Sequence, residues 1–240
     1  MTTSRSSTVV VTGAASGMGH ASAQRFAAEG WRVVAIDRDP DSLVAAARSL
    51  GPSVTPVVAD IVSRDALFVA LDQAVGGGPL RAVVNAAGIY PTSTLADYTD
   101  ELFRRIFEVN VLGTLNVIAA CVPHLRAAGG GAVVNFASVD AFAVSPGQLV
   151  YSASKAAIVS ITRSLAVELA GDGISVNAVA PGWVDTPGTR AGGRMEAAVA
   201  AVPMGRAADP SEIADWVWKL TQGSYVSGET LVIAGGLTVR

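Results

Sequence analysis

Cysteine is nearly absent. Cys121 is the only one in 240 residues, so no disulfide can form within the chain, no cysteine metal cluster can be built, and no metal site is expected. A surplus of positive charge is also missing: 17 Lys and Arg stand against 20 Asp and Glu, a net charge of -3. Nucleic acid is therefore a disfavoured partner, because phosphate-backbone binding needs a basic excess. The first eight residues are polar and lack the apolar centre of a secretory signal. No later run looks like the roughly 20 apolar residues of a membrane span. The expectation is a cytoplasmic protein, away from membranes, acting on a small molecule. No internal repeat or long linker breaks the chain, which reads as one domain over 1–240.

What is abundant is hydrophobic side chain, 50% of the residues against 15% charged, a balance suited to a sheet covered on both faces. Short runs rich in β-branched residues fall at 8–12, 31–36, 54–58, 80–84, 132–136, 174–180 and 230–233. Stretches of helical length separate them, at 17–29, 40–50, 101–125, 150–169 and 211–220. Strands alternating with helices imply right-handed crossovers. The fold class expected is α/β: a Rossmann-like, doubly wound parallel sheet of about seven strands with helices on both faces. The segment 187–203 breaks this rhythm with Gly188, Gly192 and Gly193 before a short alanine-rich run, a pattern suited to a substrate lid.

The first strand runs into Thr12-Gly13-Ala14-Ala15-Ser16-Gly17-Met18-Gly19, and a helix pattern follows at once. Glycines at such a turn admit a pyrophosphate close to the backbone, and the exposed N–H groups of the helix start favour its charge. Gly13, Ser16, Gly17, Met18 and Gly19 are the candidate phosphate-binding residues. Asp37 ends the second strand, where its carboxylate can accept hydrogen bonds from ribose hydroxyls and would repel a 2′-phosphate. The expected cofactor is therefore NAD, with NADP less favoured, although the adjoining Arg38 could pair with such a phosphate. Asp60 and Ile61 follow the third strand and Asn85, Ala86 and Gly88 the fourth, at strand ends suited to adenine and its ribose.

Tyr151-Ser152-Ala153-Ser154-Lys155 opens a helix, and the four-residue step puts tyrosine and lysine on one face. An ammonium and an oxidised nicotinamide nearby would both draw the Tyr151 phenol below its usual pKa of about 10. Ser138 ends the fifth strand, with its hydroxyl able to face the ligand crevice. This set of glycine turn, Asn-Ala-Ala-Gly, serine and Tyr-x-x-x-Lys resembles the short-chain dehydrogenase/reductase family over nearly the whole chain. The resemblance implies a catalytic set of Asn110, Ser138, Tyr151 and Lys155. In it Tyr151 would carry the proton and Ser138 would hold the reacting oxygen. Lys155 would bind the nicotinamide ribose and Asn110 would position a water in a proton relay. It further implies that Pro181, Gly182, Val184 and Thr186 contact the cofactor, and that the protein is a homotetramer joined through its long helices. Two departures stand out. Ala86 replaces the family's second asparagine, and Ala234-Gly235-Gly236 lacks the aspartate that often precedes the paired glycines.

The substrate site is expected around Ser138, Asp140, Tyr90, Phe142 and Trp183, with Met195 and Met204 as further candidates. These side chains suggest a hydrophobic or cyclic secondary alcohol or ketone, with Asp140 able to orient a polar substituent. One alternative is NADPH-dependent reduction of 3-oxoacyl groups on a carrier protein, which would need a basic docking patch. The chain instead has Ala128-Gly129-Gly130-Gly131 and Gly171-Asp172-Gly173 where related reductases carry arginines. A remote alternative, a non-catalytic dinucleotide sensor, should have lost a reacting residue, and none is lost.

Overall fold

In the computed structural model the described residues are 6–143, 145–191, 193, 195–223 and 225–239. Seven strands form one sheet: β1 (Thr8–Thr12), β2 (Arg32–Asp37), β3 (Val54–Val58), β4 (Leu80–Asn85), β5 (Gly131–Phe136), β6 (Ile174–Pro181) and β7 (Thr230–Ile233). Their spatial order is β3-β2-β1-β4-β5-β6-β7, and every pairing is parallel. The order reverses direction between β1 and β4, and in such sheets ligands bind outside the strand C-termini at that point.

Successive side chains of a strand point to opposite faces, and both faces are covered. Val9, Val11, Ala35 and Val84 pack on one side against Phe26, Leu43 and Ile213. These come from α1 (Gly17–Ala28), α2 (Pro40–Leu50) and, near the C-terminus, α9 (Pro210–Leu220). Val10, Val34, Val83 and Val133 pack on the other against Leu67, Leu71, Val117, Leu125 and Ala166. These belong to α3 (Arg64–Val75), α5 (Thr114–Ala127) and α6 (Leu149–Glu168). Uninterrupted apolar strands are thus explained by burial on both sides. Trp218 of α9 belongs to the core: it meets Phe26 and Trp31 edge-on at 5.1 and 5.6 Å. Trp216 is exposed instead, beneath the Lys219 ammonium.

Two sequence expectations change, and a third region gains detail. The single helix expected over 101–125 is α4 (Asp100–Phe107), a π-helical turn over Glu108–Gly113, and then α5. The whole helical run Asp100–Ala127 also has the length and mean hydropathy of a membrane span, contrary to the reading of isolated runs, yet more than half of its apolar window is buried inside the fold. The region 187–203 holds two short helices, α7 (Pro187–Ala191) and α8 (Met195–Val199); Gly192 lies outside the described residues.

Candidate active site

The glycine turn closes because side chains are missing from it. A Cβ at Gly19 would stand 2.1 Å from the Gly13 carbonyl oxygen, and one at Gly13 would stand 2.9 Å from the Ala87 amide nitrogen. Gly13 and Gly17 also have φ of 67° and 57°, a left-handed region that other residues enter at a cost. Gly19→Ala should therefore strain the turn itself. Overpacking costs about 1–3 kcal/mol, so thermal unfolding followed by circular dichroism should show a midpoint several degrees lower.

Beside this turn runs a groove lined by Gly13, Ser16, Gly17, Met18, Gly19, Asp37, Arg38, Asp60, Ile61, Ala86, Gly88 and Thr186. The residues fit a dinucleotide: a backbone cradle without side chains at one helix start, then a carboxylate at the end of β2. Asp37 also braces the cradle, accepting from the Ala15 and Asp39 amides at 3.2 Å each. Asn116 was not singled out by sequence. From α5 its amide donates to the Ile61 carbonyl at 3.0 Å, and its Oδ1 accepts from Arg64 at 3.2 Å, fixing the floor next to Asp60. Only the fold brings residues so distant in sequence together.

A second cavity adjoins the groove and shares Met18, Ala86, Gly88, Tyr90, Thr186 and Gly188 with it. Ser138, Asp140, Tyr151, Lys155, Pro181, Gly182, Trp183 and Val184 all line it. The Tyr151 phenol hydrogen-bonds to the Ser138 hydroxyl. Lys155 is buried, donates to the Phe136 carbonyl at 2.7 Å and lies 5.7 Å from the Tyr151 ring centre. A Cβ on Gly88 would meet Asn110 Oδ1 at 3.2 Å and Lys155 Nζ at 3.6 Å, so this strand end closes directly over both.

Asn110 sits behind that wall, in the π-helical turn. Its Nδ2 donates to the Ile89 carbonyl at 2.9 Å and to Ser154 Oγ at 3.0 Å, while its Oδ1 accepts from the Ile89 amide at 2.8 Å. The side chain thereby clamps the 85–90 segment to α6. Burial lowers the Lys155 ammonium to about 8. Burial also raises the Tyr151 phenol above its ordinary value; the Ser138 hydrogen bond opposes that rise and the charge of Asp140 adds to it. The expected depression of Tyr151 is therefore not a property of the protein groups alone.

Several expected site residues lie elsewhere. Asn85 is buried, with its Nδ2 donating to Asn135 Oδ1 at 2.9 Å; it sits one residue before Ala86, and alternation along the strand turns it away from the groove. Phe142 follows the tight turn Val139–Ala141 and is 53% exposed, outside the cavity lining. Met195 faces a separate cleft beside Asp185 and Arg206, and Met204 is exposed. Ser145, Gln148, Thr189 and Leu237 do line the second cavity. The first two are placed by the buried Ser93, whose amide donates to the Gly147 carbonyl at 2.9 Å and whose Oγ accepts from the Val150 amide at 3.1 Å.

The chain is similar to known proteins over most of its length. A family model described as short chain dehydrogenase matches residues 7–197. A 3-oxoacyl-[acyl-carrier-protein] reductase, FabG, of Thermotoga maritima is 37% identical over 238 residues, covering 96% of this chain and 97% of its own. A galactitol 2-dehydrogenase (L-tagatose-forming) of Cereibacter sphaeroides is 38% identical over 238 residues, with coverages of 95% and 94%. Among solved structures, a variant actinorhodin polyketide ketoreductase with NADPH superposes with a TM-score of 0.93 at 32% identity, covering 100% of both chains.

Proposed function

The chain belongs to the short-chain dehydrogenase family, and from that premise we propose that it is an NAD(H)-dependent enzyme interconverting a secondary alcohol and a ketone, with Tyr151 as its proton carrier. The observation that carries the reading is the meeting of Ser138, Tyr151 and Lys155 in one cavity that opens into the glycine-lined groove.

A bound nicotinamide would supply the redox half, hydride acceptance in oxidation and hydride donation in reduction, so that alcohol and oxidised cofactor balance ketone, reduced cofactor and a proton. Tyr151 gives its phenolic proton to the carbonyl oxygen in reduction and accepts it from the hydroxyl in oxidation. Ser138, hydrogen-bonded to that phenol, holds the reacting oxygen. Lys155 binds the nicotinamide ribose and places a positive charge next to the phenol, which favours the phenolate when alcohol is oxidised. Asn110 acts as a positioning residue through its clamp on Ile89 and, as its family role suggests, orders a water behind Lys155. Pro181, Gly182, Val184 and Thr186 cover the nicotinamide end, with the segment 187–203 as a lid.

Asp37 supports NAD over NADP, because an anionic 2′-phosphate would meet its carboxylate. Asp37→Ser is expected to shift the ratio of kcat/KM values for the two cofactors toward NADP by about tenfold or more, the usual scale for relieving one close charge repulsion. An unchanged ratio would hand cofactor selection to Arg38 or another groove residue. The test of the whole reading is turnover of cyclic and acyclic secondary alcohols with either cofactor, followed by the near-ultraviolet absorbance of reduced nicotinamide.

A second reading, NADPH-dependent reduction of carrier-bound 3-oxoacyl groups, is favoured by the Thermotoga relative and by the ketoreductase likeness. Against it, Arg126, which stands before β5, is tied to Asp172 before β6 at 2.7 Å, so its charge is locally balanced rather than free to meet an acidic partner. Turnover confined to thioesters and NADPH would establish that reading; NADH binding without any turnover would leave a dinucleotide sensor. The proposed assembly is a homotetramer. Exposed Phe103, Leu112 and Val167 on α4, the π-helical turn and α6 support it.

A further inference from the structure

One part of the substrate cavity is polar in a way the proton chemistry does not use. Asp140, Ser145 and Gln148 all reach the lining from the segment joining β5 to α6, whereas Val139, Trp183 and Leu237 keep other parts apolar. The Asp140 amide donates to Ser138 Oγ at 3.1 Å, and the Ser145 hydroxyl donates to Asp140 Oδ1. One tight turn therefore carries both the serine that holds the reacting oxygen and a carboxylate. Two residues apart, their Cα atoms are separated by at most about 7 Å, the reach of a substituent one or two carbons from the carbinol.

An ionised carboxylate accepts hydrogen bonds at about four lone-pair positions and donates none. A ligand that fills this cavity strips water from Asp140. An apolar ligand would replace none of the hydrogen bonds that this water makes, and an anionic one would add repulsion. A cationic ligand would meet Lys155, which lines the same cavity. A neutral hydroxyl answers all three constraints. We propose that Asp140 is a specificity-determining residue that accepts a hydrogen bond from a second hydroxyl of the substrate, so that vicinal diols and their α-hydroxy ketones are preferred over simple alcohols and ketones. The influence of Asp140 on the Tyr151 phenol places the two groups in one electrostatic neighbourhood.

This inference rests on the proposed function and narrows its substrate class. The test compares trans-vicinal cyclohexanediol with cyclohexanol as substrates for oxidation. The wild-type protein should favour the diol in kcat/KM by about tenfold or more, as expected for a hydrogen bond to a charged group. Asp140→Ala and Asp140→Asn should bring that ratio down, the first to near one; the asparagine keeps the shape of the turn should alanine disturb it. A ratio unchanged in both variants, or no diol preference in the wild type, would overturn the proposal. Preference for trans-2-aminocyclohexanol over the diol would overturn the hydroxyl assignment. Calorimetric titration of the same compounds into Tyr151→Phe protein saturated with oxidised cofactor asks the question without turnover. If neither alcohol is oxidised by the wild type, the proposed function fails. A diol advantage in binding that vanishes when Asp140→Ala is added would still uphold the role of Asp140, and equal binding would refute it.

Discussion

Tyr151→Phe is expected to lower kcat by about a thousandfold or more while leaving NADH affinity within about threefold of wild type, because general acid–base groups typically contribute 10²–10⁴ in rate. The substitution removes one oxygen and keeps the ring that packs edge-on against Tyr90 at 6.1 Å between centroids. The proton carrier is lost, but the groove wall is preserved. Steady-state rates in both directions, together with a fluorescence titration of NADH, separate these effects. Substantial turnover by the variant would remove Tyr151 from the chemistry and sink the mechanism. The direction of its pKa adds a pH signature. Burial keeps the phenol protonated in the protein alone, the form reduction needs, so carbonyl reduction should persist through neutral pH and alcohol oxidation should climb as the medium becomes more alkaline.

Lys155→Met should also abolish useful turnover, yet make the protein more stable at neutral pH. Burial lowers the lysine from its ordinary 10.5 to about 8. Between those values the unfolded chain holds the proton and the folded chain does not, so stability rises with pH across that window. Below it both states are charged, and the fold bears the whole difference, about 3 kcal/mol at 1.36 kcal/mol per pKa unit. Methionine removes that cost but leaves the Phe136 carbonyl without its donor, a loss of about 1 kcal/mol. The net gain of about 2 kcal/mol corresponds to a midpoint higher by about 4–8 °C at pH 7 for a domain of this size. The gap between variant and wild type should shrink as pH passes 8 and close by about 10. A less stable variant at pH 7 would mean that the ammonium's hydrogen bond outweighs its desolvation. Taken with the activity loss, the expected result would make Lys155 a residue kept at the expense of stability.

The central strands were readable in the sequence because burial on both faces demands unbroken apolar runs, and the observed β1, buried throughout, matches its expected bounds. Helix α3 is left unassigned by the run-by-run reading, although Leu67, Leu71 and Val75 recur every fourth residue and are all buried. That repeat is the signal that identifies it. The residues proposed to carry the chemistry were readable as motifs, since a glycine turn and a Tyr-x-x-x-Lys pair are local. The substrate wall was not. Ser145 and Gln148 reach the cavity from a loop that Ser93, some fifty residues earlier, pins at Gly147 and Val150, and a contact of that sequence separation leaves no periodic trace. Asn85 and Phe142 show the complementary error: right neighbourhood, wrong side, decided by strand alternation and by a tight turn.

The π-helical turn over Glu108–Gly113 bears on which changes in chain length this fold can absorb. Such a turn carries an extra residue relative to regular α-helix. Deleting one residue within it would restore ordinary helical hydrogen bonding and improve the helix taken by itself. A π-helical turn spends its extra residue within one wider turn, so the flanking α4 and α5 would keep nearly the same relative rotation. The loss would fall inside the turn, where the remaining residues would be re-phased and Asn110 carried off Ile89 and Ser154. Homologous chains should accordingly vary in length in their surface loops long before they lose a residue here: the better helix would be the poorer protein.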